Sequence, residues 1–121
     1  MSTSRKPLDG IIVADFSRVL AGPYCSMLLA DMGATVIKVE SPQGDDTRTW
    51  TPPTHNDVAT YYMSINRNKR SIVLDFALEE DRKVGLDLIK RADIFIENFK
   101  TGGLKKFGFD YESVAPINPA L

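Results

Sequence analysis

The chain has 121 residues, 43% hydrophobic and 26% charged, with 15 basic residues against 16 acidic ones for a formal net charge of −1. That length and make-up suit one globular domain, or a piece of one, burying roughly 65% of its extended surface. They exclude the strongly basic footprint of a nucleic-acid-binding domain, an apolar run near the ~20 residues of a membrane span and, with Cys25 the single cysteine, any internal disulfide.

Met1 to Lys6 lacks the apolar core of a secretory signal, and with no disulfide framework the cytoplasm is the expected compartment. Gly10 to Phe16 is a near-continuous apolar run rich in β-branched residues, which suits a strand buried on both faces. Residues 17–22 form a loop, and Pro23 suits the first turn of a helix. Along that helix Tyr24, Cys25, Leu28, Leu29 and Met32 recur as one apolar stripe, so Cys25 is expected to be buried rather than reactive. Gly33 is the expected C-terminal cap. Thr35 to Glu40 is a second strand, which completes a βαβ unit.

Residues 41–57 are a polar loop holding Pro42, Gly44, Pro52 and Pro53, longer than the usual ~4–6 residues. Val58 to Ile65 reads as a short helix carrying Tyr61, Tyr62 and Met63. Asn66 to Arg70 reads as a basic, solvated turn, and Ser71 to Asp75 as a third strand. Leu78 to Ala92 is the clearest helix. Val84, Gly85, Leu88, Ile89 and Ala92 give its stripe, and Glu79, Glu80 and Asp81 at one end with Lys90 and Arg91 at the other complement its dipole. Asp93 to Glu97 is a fourth strand. A loop from Asn98 to Gly103 and helical turns around 103–107 and 111–117 complete the pattern.

Strands alternating with helices predict an open parallel α/β sheet, where ligands sit outside the carboxyl ends of the strands. If the first, third and fourth strands are parallel, the loops Ser17–Gly22, Asp75–Ala77 and Asn98–Gly103 share that edge. Neither of the two common phosphate-cradling glycine fingerprints is present. A phosphate would therefore need side-chain cations, and the candidates are Arg18, Lys38, Arg67, Lys69, Arg70, Lys100, Lys105 and Lys106. Lys38, between Ile37 and Val39, is expected along the sheet edge. His55, the sole histidine, lies in a Pro/Asn-rich loop and is expected to be exposed and inert. Asp45-Asp46 and Glu79-Glu80 read as loop and helix-start residues rather than acid/base pairs. No Cys/His cluster has zinc spacing, so no metal site is expected. Residue chemistry thus supports a binding module for a small ligand and names no reaction.

The motifs resemble a known family. Pro7-Leu8-Asp9-Gly10, Asp15-Phe16-Ser17, Ala21-Gly22-Pro23, Leu29 to Ala34, Val36 to Glu40, Gly44 to Arg48, Asn68 to Ile72, Ala92-Asp93, Glu97-Asn98-Phe99 and Gly108-Phe109 run in the order found in the N-terminal part of the class III CoA-transferases, the CaiB/BaiF family. The resemblance covers nearly the whole chain. It implies a Rossmann-like open parallel sheet with flanking helices, an incomplete fragment of a larger fold whose subunits interlock as a homodimer. Residues 1–121 would be the N-terminal CoA-binding part.

The family moves CoA between an acyl-CoA and a carboxylic acid through an aspartate that forms anhydride and thioester intermediates. That aspartate would lie beyond Leu121, so no catalytic residue is assigned here and the fragment alone would be inactive. Coenzyme A would be a substrate, with no tightly bound cofactor. The resemblance places Val19, Leu20 and Ala21 along the nucleotide and pantetheine path. Leu74, Asp75, Phe76 and Ala77 would lie at the adenosine end, Asn98, Phe99 and Lys100 around the CoA, and Lys106 at a phosphate. Leu20 and Ser41 stand where formyl-CoA transferase has a glutamine and an arginine, and Lys106 replaces an arginine, losing its bidentate fork. The acyl donor and acceptor stay open. An α-methylacyl-CoA racemase, which moves a proton at the α-carbon, and a non-catalytic nucleotide-binding module are the alternatives.

Overall fold

A computed structural model describes residues 4–121. In chain order the elements are β1 (Ile12–Asp15), α1 (Ala21–Asp31), β2 (Thr35–Glu40), a 3₁₀ turn (Asp46–Thr49), β3 (Thr54–His55), β4 (Val58–Ala59), α2 (Thr60–Ile65), β5 (Lys69–Val73), α3 (Glu79–Arg91), β6 (Ile94–Ile96), a second 3₁₀ turn (Lys105–Phe107) and α4 (Tyr111–Val114). Four strands form one parallel sheet in the order β5-β2-β1-β6. The predicted α/β class is therefore the observed one.

β1 aligns Val13 with Val36 of β2 and with Ile94 of β6. Successive side chains of a strand point to opposite faces, and the two faces differ. One carries Ala14, Phe16, Val39 and Leu74, packed with Ile89, Ala92, Leu104, Phe109 and Val114 of the α3–α4 side. Phe16 is its centre: its ring lies 4.9 Å from Phe95, 5.3 Å from Phe109 and 5.5 Å from Phe76. Burying one such side chain contributes about 1.5–3 kcal/mol. The other face has a smaller apolar cluster of Val13, Ala30, Ala34 and Val36 under α1. Toward the carboxyl ends of the strands it turns polar, with Asp15, Ser17, Lys38 and Glu40 all buried.

α3 follows its pattern, with Gly85, Ile89 and Ala92 buried and Leu88 packed against the core, although Val84 stays exposed. α1 does not. Its buried residues are Pro23, Ser26, Met27 and Ala30. Tyr24, Leu28 and Met32, at 50%, 41% and 42% exposure, face out with Cys25, correcting the expected burial of that cysteine. The physical reason lies beneath the helix: Ser26 meets the buried Asp15 carboxylate and Ala30 packs on Val13 and Val36, so Pro23, Ser26, Met27 and Ala30, not the Tyr24–Met32 stripe, face the sheet. Gly33, at φ +107°, takes up the left-handed position just past the helix end.

Two more expectations are corrected. Lys69 and Arg70 are strand residues, because Lys69 pairs in register with Val36 and its ammonium is drawn inward to Asp15, the Pro23 carbonyl and Asn66. The helix expected from Val58 starts at Thr60, because Val58–Ala59 pairs with Thr54–His55 of the polar loop in a hairpin whose turn residues Asn56 and Asp57 both have positive φ, at +49° and +62°. That is the backbone of a type I′ turn.

Candidate functional site

The strand order reverses direction at β1: the chain runs outward through β2 to β5, then returns to place β6 on the other side of β1. The crevice between the carboxyl ends of β1 and β6 is the switch point where open α/β sheets take ligands. Two loops meet there, residues 16–22 and 97–103. The Arg18 backbone N–H donates to Asn98 Oδ1 at 2.9 Å, and Asn98 Nδ2 donates to the Arg18 carbonyl at 2.7 Å. The Arg18 guanidinium lies 4.9 Å from the centre of the Phe99 ring. One asparagine thus satisfies both main-chain groups of Arg18 and joins the loops.

Beneath the first loop is a network of buried charge. Asp15 accepts from the Ser17 and Ser26 hydroxyls, from the Ser17 N–H at 2.9 Å, and from Lys69 Nζ at 3.3 Å. Lys38 Nζ donates to Asp45 Oδ2 at 2.9 Å and to the Ser17 carbonyl at 3.1 Å. Asp45 also caps the first 3₁₀ turn through the Thr47 N–H and hydroxyl, at 3.0 and 2.9 Å. Glu40 takes a two-pronged grip from Arg48, at 2.8 and 2.7 Å, with Ser71 and the Asp45 N–H adding to it at 2.5 and 2.9 Å. Tyr62 lies under the Arg48 guanidinium, 3.8 Å from carbon to ring centre. Among the described residues no buried side-chain nitrogen or oxygen lacks a partner.

These contacts set the acidities. Burial pushes the Glu40 carboxyl up, but Arg48, Ser71 and the Asp45 N–H outweigh it and bring it down to about 2. Burial likewise opposes ionisation of Asp45, and the Thr47 N–H and Lys38 hold it below the usual carboxylate range. Lys69 is lowered to about 8 by burial, against the pull of Asp15. Tyr62 is pushed up to about 12, by burial and then by the Glu40 charge. The Glu40 and Asp45 carboxylates are thus ionised, paired and buried, which suits structural anchors and not nucleophiles.

Val19 lies in the first loop at φ +72°. Leu20 is the residue before α1, 49% exposed, and Ala21 is its exposed first residue. Asn98 and Lys100 are exposed, and Phe99 is half-buried under Arg18. These six surround the switch point. The 74–77 stretch follows β5, two strands from β1. Leu74 is buried in the apolar core, with its N–H donated to the Glu40 carbonyl at 2.9 Å. Asp75 Oδ1 accepts from the Ala77 N–H at 2.9 Å, and Phe76 packs on Phe107 and Phe109 with ring centres 5.4 and 4.8 Å away. Lys106 is exposed, its ammonium 4.9 Å from the Phe107 ring centre. The aromatic cluster around Phe16 therefore links the 74–77 stretch to the segment that carries Lys106.

Gly22 serves the protein itself: a Cβ there would sit 2.2 Å from the Ser17 Cβ, so the glycine lets α1 close onto the loop. Sequence reasoning missed Lys38, Asp45 and Lys69 as the supports of this site. A lysine alternating with Val36 and Glu40 on one strand face is the signal that could have found the first. An open cleft of about 970 Å³ runs beside the edge strand β6, lined by Phe95, Glu97, Leu104 and Tyr111. It touches Phe99 and Lys100 but not Val19, Leu20, Ala21 or Lys106, so this cleft adjoins the candidate site without being it. No helix among the described residues is long and apolar enough to cross a membrane.

The model of CoA-transferase family III matches residues 8–121. The succinate–glutarate CoA-transferase of Agrobacterium fabrum is 50% identical over 100% of this chain and 32% of its own length. The succinyl-CoA:mesaconate CoA-transferase of Haloarcula hispanica is also 50% identical, over 94% of this chain and 30% of its own. The crystal structure of a CaiB/BaiF family protein from Brucella suis superposes with a TM-score of 0.91 at 52% identity, covering 94% of this chain and 31% of that one. The chain thus spans about a third of the length of such relatives. It belongs to CoA-transferase family III, as a part corresponding to the N-terminal portion of that fold.

Proposed function

We propose that residues 1–121 form the CoA-binding part of an enzyme that moves CoA between the acyl-CoA of a dicarboxylic acid and a second dicarboxylic acid. The observation that carries this is the pair of loops joined by Arg18 and Asn98 at the switch point, in a chain whose relatives are named for succinyl, glutarate and mesaconate transfer. Val19 to Ala21 and Asn98 to Lys100 would line the CoA path. Main chain of Leu74 to Ala77 would approach the adenosine end, and Lys106 a phosphate.

The nucleophile in this reaction is an aspartate outside residues 1–121. Its carboxylate bonds to the acyl carbon as the thioester C–S bond breaks, leaving a mixed anhydride and CoA thiolate. The thiolate attacks the aspartyl carbonyl, and the donor acid departs as its carboxylate. The acceptor carboxylate then displaces CoA from the aspartyl thioester, and thiolate attack on the acceptor carbonyl frees the aspartate. CoA is a substrate throughout, so no tightly bound cofactor is required. The 121-residue chain is inactive alone for want of that nucleophile. The complete enzyme acts in the cytoplasm as a homodimer, a state supported by the exposed Tyr24–Leu28–Met32 stripe of α1.

The deciding experiment mixes the full-length protein with succinyl-CoA and isotope-labelled dicarboxylic acids. Label is expected to enter the CoA-ester pool with at least one acid, and absence of exchange with every acid overturns the proposal.

A further inference from the structure

The first loop stands on three residues of irregular main chain, Ser17, Arg18 and Val19. Val19 is β-branched yet left-handed, at φ +72°, a conformation such residues hold only when their surroundings impose it. What imposes it is visible. Lys38 Nζ reaches the Ser17 carbonyl at 3.1 Å. The Asp45 carboxylate faces the Val19 N–H with its oxygens at 3.4 and 3.3 Å. These are the peptide groups on either side of Arg18, whose own N–H and carbonyl Asn98 holds.

We propose that Lys38 and Asp45 are the positioning residues of the CoA-facing loop, a buried ion pair that grips the main chain on both sides of Arg18 and holds Val19 left-handed. This rests on the loop facing CoA, as proposed above. The side chains are 1% and 0% exposed, so neither can touch a ligand and both act through the backbone. The clamp is itself anchored: the Asp45 N–H donates to Glu40, and Arg48 secures Glu40. A buried ion pair contributes little net stability over an apolar pair of the same shape. Its gain here is a fixed loop, with the ligand-facing backbone ordered before CoA arrives.

The test uses the full-length protein and Asp45→Asn, which keeps the side-chain shape but removes the charge. Amide hydrogen exchange across residues 17–20 is expected to rise about tenfold or more, and CoA affinity measured by calorimetry to fall on the order of tenfold. Lys38→Gln removes the charge from the other side of the pair and is expected to give the same two changes. Glycine accepts the left-handed conformation unaided, so in a Val19→Gly background Asp45→Asn should weaken CoA binding by less than about twofold. A residue that only stabilised the fold would lower the melting temperature while leaving CoA affinity and its coupling to position 19 unchanged; that result overturns the inference. If the unaltered protein binds no CoA, the proposed function fails, and the exchange at residues 17–20 alone decides whether the clamp exists: a rise upholds it and no change removes it.

Discussion

The two faces of one sheet are stabilised by different physics. On the α3–α4 side, Ala14, Phe16, Val39 and Leu74 meet aliphatic and aromatic partners in a dry core. On the α1 side the same strands offer Asp15, Lys38 and Glu40, held by partners that cannot be exchanged singly. Dispersion and burial tolerate substitution if volume is kept. A buried charge does not, because removing its partner strands it in a poorly solvating interior. The first loop of the candidate site stands on the intolerant face, while Leu74, Phe76 and Phe99 pack on the tolerant one, which carries most of the apolar core.

Substitutions can break or sharpen that contrast. The largest loss is expected from Lys38→Met, which nearly conserves volume yet leaves Asp45 unpaired. It should cost about 3–5 kcal/mol in denaturant unfolding of the full-length protein. Next comes acid. Glu40 has its carboxyl lowered from 4.5 to about 2, so the folded state binds fewer protons than the unfolded one between those values. Its stabilisation is complete above pH 4.5 and is lost as pH falls toward 2, on the order of 3 kcal/mol. Glu40→Gln should flatten that limb of the stability–pH curve, and an unchanged limb would remove Glu40 from the account.

On the dry face, Ile89→Leu is expected to cost less than about 1.5 kcal/mol, although Ile89 is fully buried. A loss matching that of Lys38→Met would erase the contrast. Asn98→Ala removes the two hydrogen bonds to Arg18. Because the asparagine is exposed, its cost in stability should be about 1 kcal/mol, with weaker CoA binding as the clearer readout. Smallest of all, His55→Ala on the exposed β3–β4 hairpin should leave both stability and CoA affinity unchanged.

The same contrast explains what could be read from the sequence. All four sheet strands announce themselves as β-branched runs, and α3 by its stripe and end charges, because apolar burial leaves a periodic trace. α1 misleads: its most apolar stripe is the exposed one, and its inward face of Pro23, Ser26, Met27 and Ala30 combines one polar contact, Ser26 on Asp15, with apolar packing on the sheet. Lys38 and Lys69 read as surface cations because lysine is almost never fully buried without a partner, and Asp45 and Asp15 lie too far along the chain to be recognised as those partners. The loops of the candidate site follow from strand order. The network that shapes one of them is tertiary and has no local signature beyond an out-of-place lysine in β2.

Leu20 sits at the crest of the first loop, half exposed, and contributes no side-chain cap to α1. The shape of the loop is secured from elsewhere, by Lys38, Asp45 and Asn98. Position 20 can therefore take other side chains without deforming the scaffold. Side-chain identity and backbone path are thus uncoupled at the crest: a substitution there changes what the loop presents to the crevice and not the course of its main chain.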